Sequence, residues 1–140
     1  MSSPTQSASE ELGSDASPRT VRVSRAVPTP VERVWEVLIT EPGTQALLGR
    51  GASLGSKGEP WRAEDGTHGV VRSYHPLEQL RFSWHFTEDD PPSLVDVHLS
   101  AEGDGTRLDV VHERLHDGDD PEMLRRHWEV ALERLQGVVG

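Results

Sequence analysis

Five consecutive residues, His112-Glu113-Arg114-Leu115-His116, spell the pattern H-E-x-x-H. On a helix this spacing brings both imidazoles to one metal ion and lets the Glu take a proton from metal-bound water, the chemistry of a zinc peptidase. Leu108, Val111 and Leu115 would even fit a helical stripe through it. The surroundings argue for a strand instead. Gly103-Asp104-Gly105 turns into a β-branched stretch, and Asp117-Gly118-Asp119-Asp120 follows as a loop signal. On a strand, imidazoles four residues apart share a face but stand about 13 Å from each other, too far for one ion. The match is read as accidental, and no metal site is expected. The chain has no Cys, which removes disulfides, thiolate zinc sites, iron–sulfur clusters and a cysteine nucleophile. Serines concentrate in the N-terminal stretch and in loops, with no G-x-S-x-G elbow, and G-R-G-A-S-L-G lacks the lysine of a phosphate loop. No catalytic constellation is legible, and no cofactor is expected.

Single residues say more. His112 continues the phase of Leu108 and Val110, so its ring should point where theirs do. It reads either as a core-edge histidine bonded to a backbone carbonyl or as a contact for a ligand. Arg25 shares the phase of Val21, Val23 and Val27. A buried Arg needs an acidic partner, for which Glu113 or Asp109 would serve, or an anionic ligand; otherwise it snorkels to water. Trp61, Tyr74, Phe82, Trp84, Phe86 and Trp128 are in phase with aliphatic residues and read first as core. The acidic stretches Glu88–Asp90 and Asp117–Asp120 read as solvated loops rather than docking patches for a basic partner.

The elements that must position these residues follow from periodicity. Residues 1–19 are polar, Ser-rich and aperiodic, too poor in apolar surface to offset the entropy of ordering, and are expected to be a disordered tail. One domain, residues 20–140, should follow. Val21, Val23 and Val27 predict a strand. Thr29 as N-cap, Pro30 at the first helical position and Glu32 closing a capping box predict a helix with Val31, Val34, Trp35, Leu38 and Ile39 on one stripe. Glu41-Pro42-Gly43 should stop it, and a short helical turn should run from Thr44 to Leu48. From Glu59 to Leu115 the chain reads as antiparallel strands. Trp61 opens one, Asp65-Gly66 marks a hairpin, Val70, Val71 and Tyr74 lie in the next, and His75-Pro76 closes it. Leu80, Phe82, Trp84 and Phe86 alternate without a break, as do Val95, Val97 and Leu99. Asp120 as N-cap and Pro121 at the first position open a closing helix of about 28 Å. Its apolar stripe is Leu124, Trp128, Ala131, Leu132, Leu135 and Val138.

Composition narrows the partners. The 140 residues carry 14 Lys and Arg against 24 Asp and Glu, a net charge of −10. That balance disfavours both nucleic acid and anionic membranes. No stretch approaches the roughly 18 apolar residues of a membrane span, and the N-terminus does not read as a secretory signal. A cytoplasmic location is expected.

The element order and several strings resemble a known family. Val21–Leu38 is similar to the opening of helix-grip domains in the START-like, or SRPBCC, superfamily, and most of all to its heat-shock-protein-90 ATPase activator homologue-like group. Gly69–Val71 with Pro76–Trp84 resembles that group's central strands, Gly105–His112 its last strand, and His127–Leu135 its closing helix. Gly49–Gly58 departs from the family, lacking its aromatic-rich entry segment. The resemblance implies an α+β helix-grip fold: a curved antiparallel sheet of six or seven strands around a long C-terminal helix, with two short helices after the first strand. It also implies a cavity between sheet and helix. Trp61, Tyr74, Phe82, Trp84, Phe86, Val97, Val110, His112, Trp128 and Leu132 would line it, with Arg25 as a candidate polar group and Trp128 above Trp84 and Phe82 at the floor. The function this implies is non-enzymatic binding of a small hydrophobic or amphipathic ligand. The alternatives are a module that contacts a chaperone, and a small cyclase or hydrolase using His112.

Overall fold

Alternation of apolar and polar side chains builds one sheet. The computed structural model describes residues 20–86, 91–116 and 118–139. The expected tail at 1–19 and the acidic residues 88–90 and 117 lie outside them. Strands β1 (Val21–Val27), β2 (Pro60–Arg62), β3 (His68–His75), β4 (Gln79–Trp84), β5 (Ser93–Glu102) and β6 (Gly105–Glu113) form a six-stranded sheet. Its order is β1-β6-β5-β4-β3-β2, antiparallel throughout. Helices α1 (Val31–Leu38) and α2 (Glu41–Leu48) follow β1, and α3 (Pro121–Val139) closes the chain. This is the α+β helix-grip arrangement, with six strands among the described residues.

The inner face of the sheet is set by register. Val21 stands opposite His112, His112 opposite Val95, and Val95 opposite Phe82, so one row of side chains crosses four strands. The row continues to Val71 on β3. There the pairing slips by one residue between Val71 and Ser73, a bulge that brings Tyr74 opposite Leu80 on the same face although it lies three residues from Val71. Trp61 on β2 reaches further. It stands opposite Gly69, and its indole Nε1 donates to the Ser83 carbonyl at 3.1 Å, two strands away. A Cβ at position 69 would stand 1.8 Å from that same oxygen and 2.8 Å from the indole nitrogen, so only glycine lets the ring lie there.

α3 covers this face. Asp120 caps it as expected, accepting from the backbone N–H groups of Glu122 at 3.1 Å and Met123 at 3.4 Å. Leu124, Trp128, Ala131, Leu132 and Leu135 are buried against the sheet. Val138 is not: Val139 takes the next inward position, one full turn after Leu135, and Val138 stays 39% exposed beside α2.

Other expectations at the element ends are corrected. Pro30, not Thr29, is the N-cap of α1, and no side chain caps that helix. The Thr29 carbonyl instead accepts from Thr106 Oγ1 at 2.6 Å, so the residue ties the approach to α1 to the start of β6. Ile39 lies past the last turn of α1 and is 52% exposed, while Val37 is buried. Glu41-Pro42-Gly43 opens α2 rather than merely ending α1. Thr40 Oγ1 donates to the Val37 carbonyl at 2.6 Å and accepts from the Gly43 N–H at 3.4 Å, closing one helix and capping the next. The alternation of β4 ends at Trp84. Phe86 lies beyond the strand, 38% exposed, with its ring edge-on to Trp84 at 4.5 Å.

Candidate functional site

Of the side chains expected to line a cavity, Trp61, Phe82, Trp84, Val97, Val110, His112, Trp128 and Leu132 are brought together between sheet and α3, each essentially buried. They fill that space with one another. Trp61 meets Phe82 edge-on at 5.6 Å, and Trp128 lies 6.5 Å from Phe82 and 6.3 Å from Trp84, as the resemblance to helix-grip domains implies. The rest are placed elsewhere. Tyr74 is 45% exposed at the far end of the sheet, packed on Trp35 at 6.4 Å. Phe86 covers the outer edge of Trp84. Arg25 hydrogen-bonds Gln136 near the end of α3 and faces a shallow polar cleft with Glu129 and Glu133. Its expected partners are otherwise engaged or distant: Asp109 accepts from Ser24 and Arg107. The snorkelling reading is the one the structure favours.

His112 is buried and held at both ring nitrogens. The Trp128 indole N–H donates to Nδ1 at 3.0 Å, and Nε2 lies 2.6 Å from Ser93 Oγ. The Ser93 hydroxyl donates its one proton to the Trp84 carbonyl at 2.9 Å. An indole nitrogen can only donate, so Nδ1 must accept, and a neutral ring therefore carries its proton on Nε2 and donates it to Ser93. The chain of donors runs one way, from Trp128 through His112 and Ser93 to a strand carbonyl. Burial, helped by the neighbouring His127, pushes the His112 pKa down to about 3. A neutral ring in this tautomer has no lone pair to take a proton from Ser93, so the pair cannot work as nucleophile and base. His112 binds side chains rather than the backbone carbonyl expected for it. His116, its partner in H-E-x-x-H, lies outside the strand and pairs with Asp119 at 3.3 Å. Among the described residues no cluster of His, Asp and Glu could hold a metal ion.

A second histidine differs. His127 precedes Trp128 on α3, and its ring stands 4.7 Å from that of Trp128 and 5.9 Å from that of Trp84. Its Nε2 and the Trp84 Nε1 are both buried and, among the described residues, neither has a hydrogen-bond partner. Leaving such a group unmade costs about 1–3 kcal/mol. Burial lowers the His127 pKa, Arg134 lowers it further, and Asp65 opposes them, so the ring is neutral near pH 7. His127 faces a cleft of about 530 Å³ between α2, α3 and the β2–β3 turn, walled by Ala46, Arg50, Asp65, Arg134 and Val138. A volume of this size suits a small ligand. Arg134 Nε donates to the Ala46 carbonyl at 3.0 Å and holds the two helices together across it.

Sequence reasoning missed His127 and Ser93. The signals were present: His127 lies at i+3 from Leu124 and i−4 from Ala131, on the flank of the apolar stripe, and Ser93 is in phase with Val95, Val97 and Leu99. Arg50, Asp65 and Arg134 have no such signal, because only the fold brings them together.

A third opening is apolar. Trp35, Ile39, Leu54, Tyr74 and Leu80 line a groove of about 350 Å³ at the end of the sheet away from His127. No helix among the described residues is long and apolar enough to cross a membrane.

Comparison with known proteins places this architecture. The sequence profile of the family described as Activator of Hsp90 ATPase homolog 1-like protein matches residues 28–140. Among solved structures, DynU16, a protein in the dynemicin biosynthetic locus, is similar at 26% identity and a TM-score of 0.73 over 85% of this chain. The chain spans 46% of the length of DynU16. CalU16 from Micromonospora echinospora is 24% identical with a TM-score of 0.70, over 86% of this chain and 76% of its own. The Aha1 dimer from Colwellia psychrerythraea is 16% identical with a TM-score of 0.72, over 86% of this chain and 95% of its own. No curated protein matches the chain.

Proposed function

Since the chain belongs to the Activator of Hsp90 ATPase homolog 1-like family and has its helix-grip fold, we propose that it binds a small amphipathic ligand without transforming it, in the cleft between α2 and α3. The observation that carries this reading is the buried Nε2 of His127, unpartnered among the described residues, on a residue that itself lines the cleft. A ligand with an apolar ring system and one polar atom would lie against the apolar wall of the cleft and offer His127 Nε2 a partner. In this reading the interior where the resemblance implies a cavity serves as the packed wall behind the cleft. The likeness to a protein of a biosynthetic locus supports a small molecule as the bound species. The absence of Cys suits work in a reducing cytoplasm.

The test is a heteronuclear NMR titration with the neutral fluorophore N-phenyl-1-naphthylamine. Saturable shifts at the amides of Ala46, Gly49 and His127 are expected, and His127→Ala should weaken them. A titration with no saturable shift in the cleft removes the reading.

A second reading rests on a different surface. Ile39, Tyr74 and Leu77 are exposed beside the apolar groove that Trp35, Leu54 and Leu80 line. Contiguous exposed apolar side chains of this kind mark protein contacts, and the family description supports a chaperone of the heat-shock-protein-90 kind as the partner. Added protein should stimulate the ATPase of such a chaperone, and an Ile39→Ser/Tyr74→Ser double variant should not. An ATPase rate that wild type leaves unchanged rejects it.

A further inference from the structure

The cleft also carries information about the charge of what it holds. The chain as a whole has a net charge of −10, and acids outnumber bases by 24 to 14. The cleft reverses this balance: Arg50 and Arg134 stand on its walls against Asp65 alone. Asp65 is engaged locally, its Oδ1 accepting from the Thr67 backbone N–H at 2.9 Å and from Thr67 Oγ1 at 2.7 Å, which fixes the β2–β3 turn. His127 is neutral near pH 7 and brings no charge of its own. Arg134 is oriented by the bond from Nε to the Ala46 carbonyl, and its terminal nitrogens carry four further N–H donors. Ala46, Leu48 and Val138 give the same cleft an apolar side.

Resting on the ligand-binding reading of this cleft, we infer that the bound molecule is an anionic amphiphile. Its apolar ring system or chain lies along Ala46, Leu48 and Val138 above His127, and a carboxylate or similar anionic group is held by Arg134 and Arg50. Guanidinium groups suit such a group because their planar donors match the spacing of its oxygens, and a charge-assisted bond is about twice as strong as a neutral one. The overall negative charge of the protein repels anions at a distance, so the two arginines act only at close range, where they select among amphiphiles that already fit.

The experiment compares two dyes of nearly the same shape on the full chain. 8-Anilinonaphthalene-1-sulfonate is anionic, and N-phenyl-1-naphthylamine lacks the sulfonate. Fluorescence titration should give one-to-one binding of both, with the sulfonate dye at least tenfold tighter. Arg134→Gln should lower affinity for the sulfonate dye about tenfold and leave the neutral dye unchanged. Because Arg134 also ties α3 to α2, the exposed Arg50→Gln serves as the second variant, with a severalfold loss expected for the sulfonate dye alone. Amide shifts for that dye should centre on Ala46, Gly49 and His127. Equal affinities for the two dyes in wild type, no selective loss in Arg50→Gln, or shifts centred elsewhere overturn the anionic assignment while leaving the cleft as a neutral site. Failure of both dyes to bind overturns the cleft reading with it.

Discussion

Two histidines share the same aromatic neighbours and have opposite situations. The rings of His112 and His127 stand 5.0 and 5.9 Å from Trp84, and 5.8 and 4.7 Å from Trp128. His112 comes from the last strand, and both its nitrogens are bonded to protein groups. His127 comes from the closing helix, faces a cleft, and keeps one buried nitrogen without a partner among the described residues. Both have lowered pKa values, with burial the largest cause in each. A depressed pKa therefore does not separate a histidine satisfied within the fold from one that faces a cleft with a nitrogen unpartnered. Hydrogen-bond satisfaction does.

The comparison can be broken most forcefully at the residue both rings touch. Trp128→Ala should destabilise by about 3–5 kcal/mol, the range for large-to-small core changes, and should leave His112 Nδ1 without its donor. Urea denaturation measures it, and a loss under about 1 kcal/mol would mean that α3 does not close over the sheet. His112→Leu comes next, at about 2–4 kcal/mol. It removes little volume but strands the Trp128 indole N–H and takes a bond from Ser93.

A smaller effect is tied to pH. His112 titrates at about 3 when folded and at about 6.5 when unfolded. Between these values the unfolded chain binds the extra proton, so stability falls as pH falls, and the contribution of His112 is fully present only above about 6.5. At pH 5 wild type should be less stable than at pH 8 by about 2 kcal/mol from this group. His127, also lowered, adds in the same direction. The test is the slope difference: His112→Leu should show a flatter profile over pH 5–8 than wild type, and parallel profiles reject the assignment.

His127→Leu should sharpen the contrast by doing little to the fold. Removing an unpartnered buried polar atom should change stability by less than about 1 kcal/mol, in either direction, while weakening dye binding in the cleft. A loss as large as that of His112→Leu would make the two histidines equivalent. Glu129→Ala, on the water side of the same helix, should stay within about 0.5 kcal/mol and set the baseline.

What the sequence revealed follows the range of each signal. The phases of β1 and β5, the sheet-facing stripe of α3 as far as Leu135 and the Asp120 cap are local patterns with a single solution and were legible, whereas the contact of Trp128 with Phe82 and Trp84 came from the resemblance to helix-grip domains. The errors occur where a distant partner intervenes. Thr29 reads as a cap because its neighbours are right for one, but Thr106, distant in sequence, takes its carbonyl. Glu41-Pro42-Gly43 reads as a stop, yet Pro near a helix start is equally an opening, and Thr40 decides between them by capping Gly43. The candidate site divided the same way. Of the residues read in phase with the core, Trp61, Phe82, Trp84, Val97, Val110, His112, Trp128 and Leu132 are buried in its packing, while Arg25, Tyr74 and Phe86 lie outside it. The charged walls of the cleft come from α2, the β2–β3 turn and α3, and no periodicity links them.

The bond from Trp128 to His112 has a mechanical consequence. A helix resting on a sheet through apolar contacts alone is held by forces without direction, and neighbouring settings along its axis differ little. Here one indole N–H of α3 must meet one nitrogen of β6, whose other nitrogen is tied through Ser93 to β4. Sliding the helix by a single residue, about 1.5 Å, would misalign the indole with its acceptor and leave two buried polar groups stranded. The relay works as a detent. α3 becomes a fixed post, and the other walls of the cleft are hung from it and from themselves, α2 through the Ala46 carbonyl on Arg134 and the β2–β3 turn through Asp65 and Thr67.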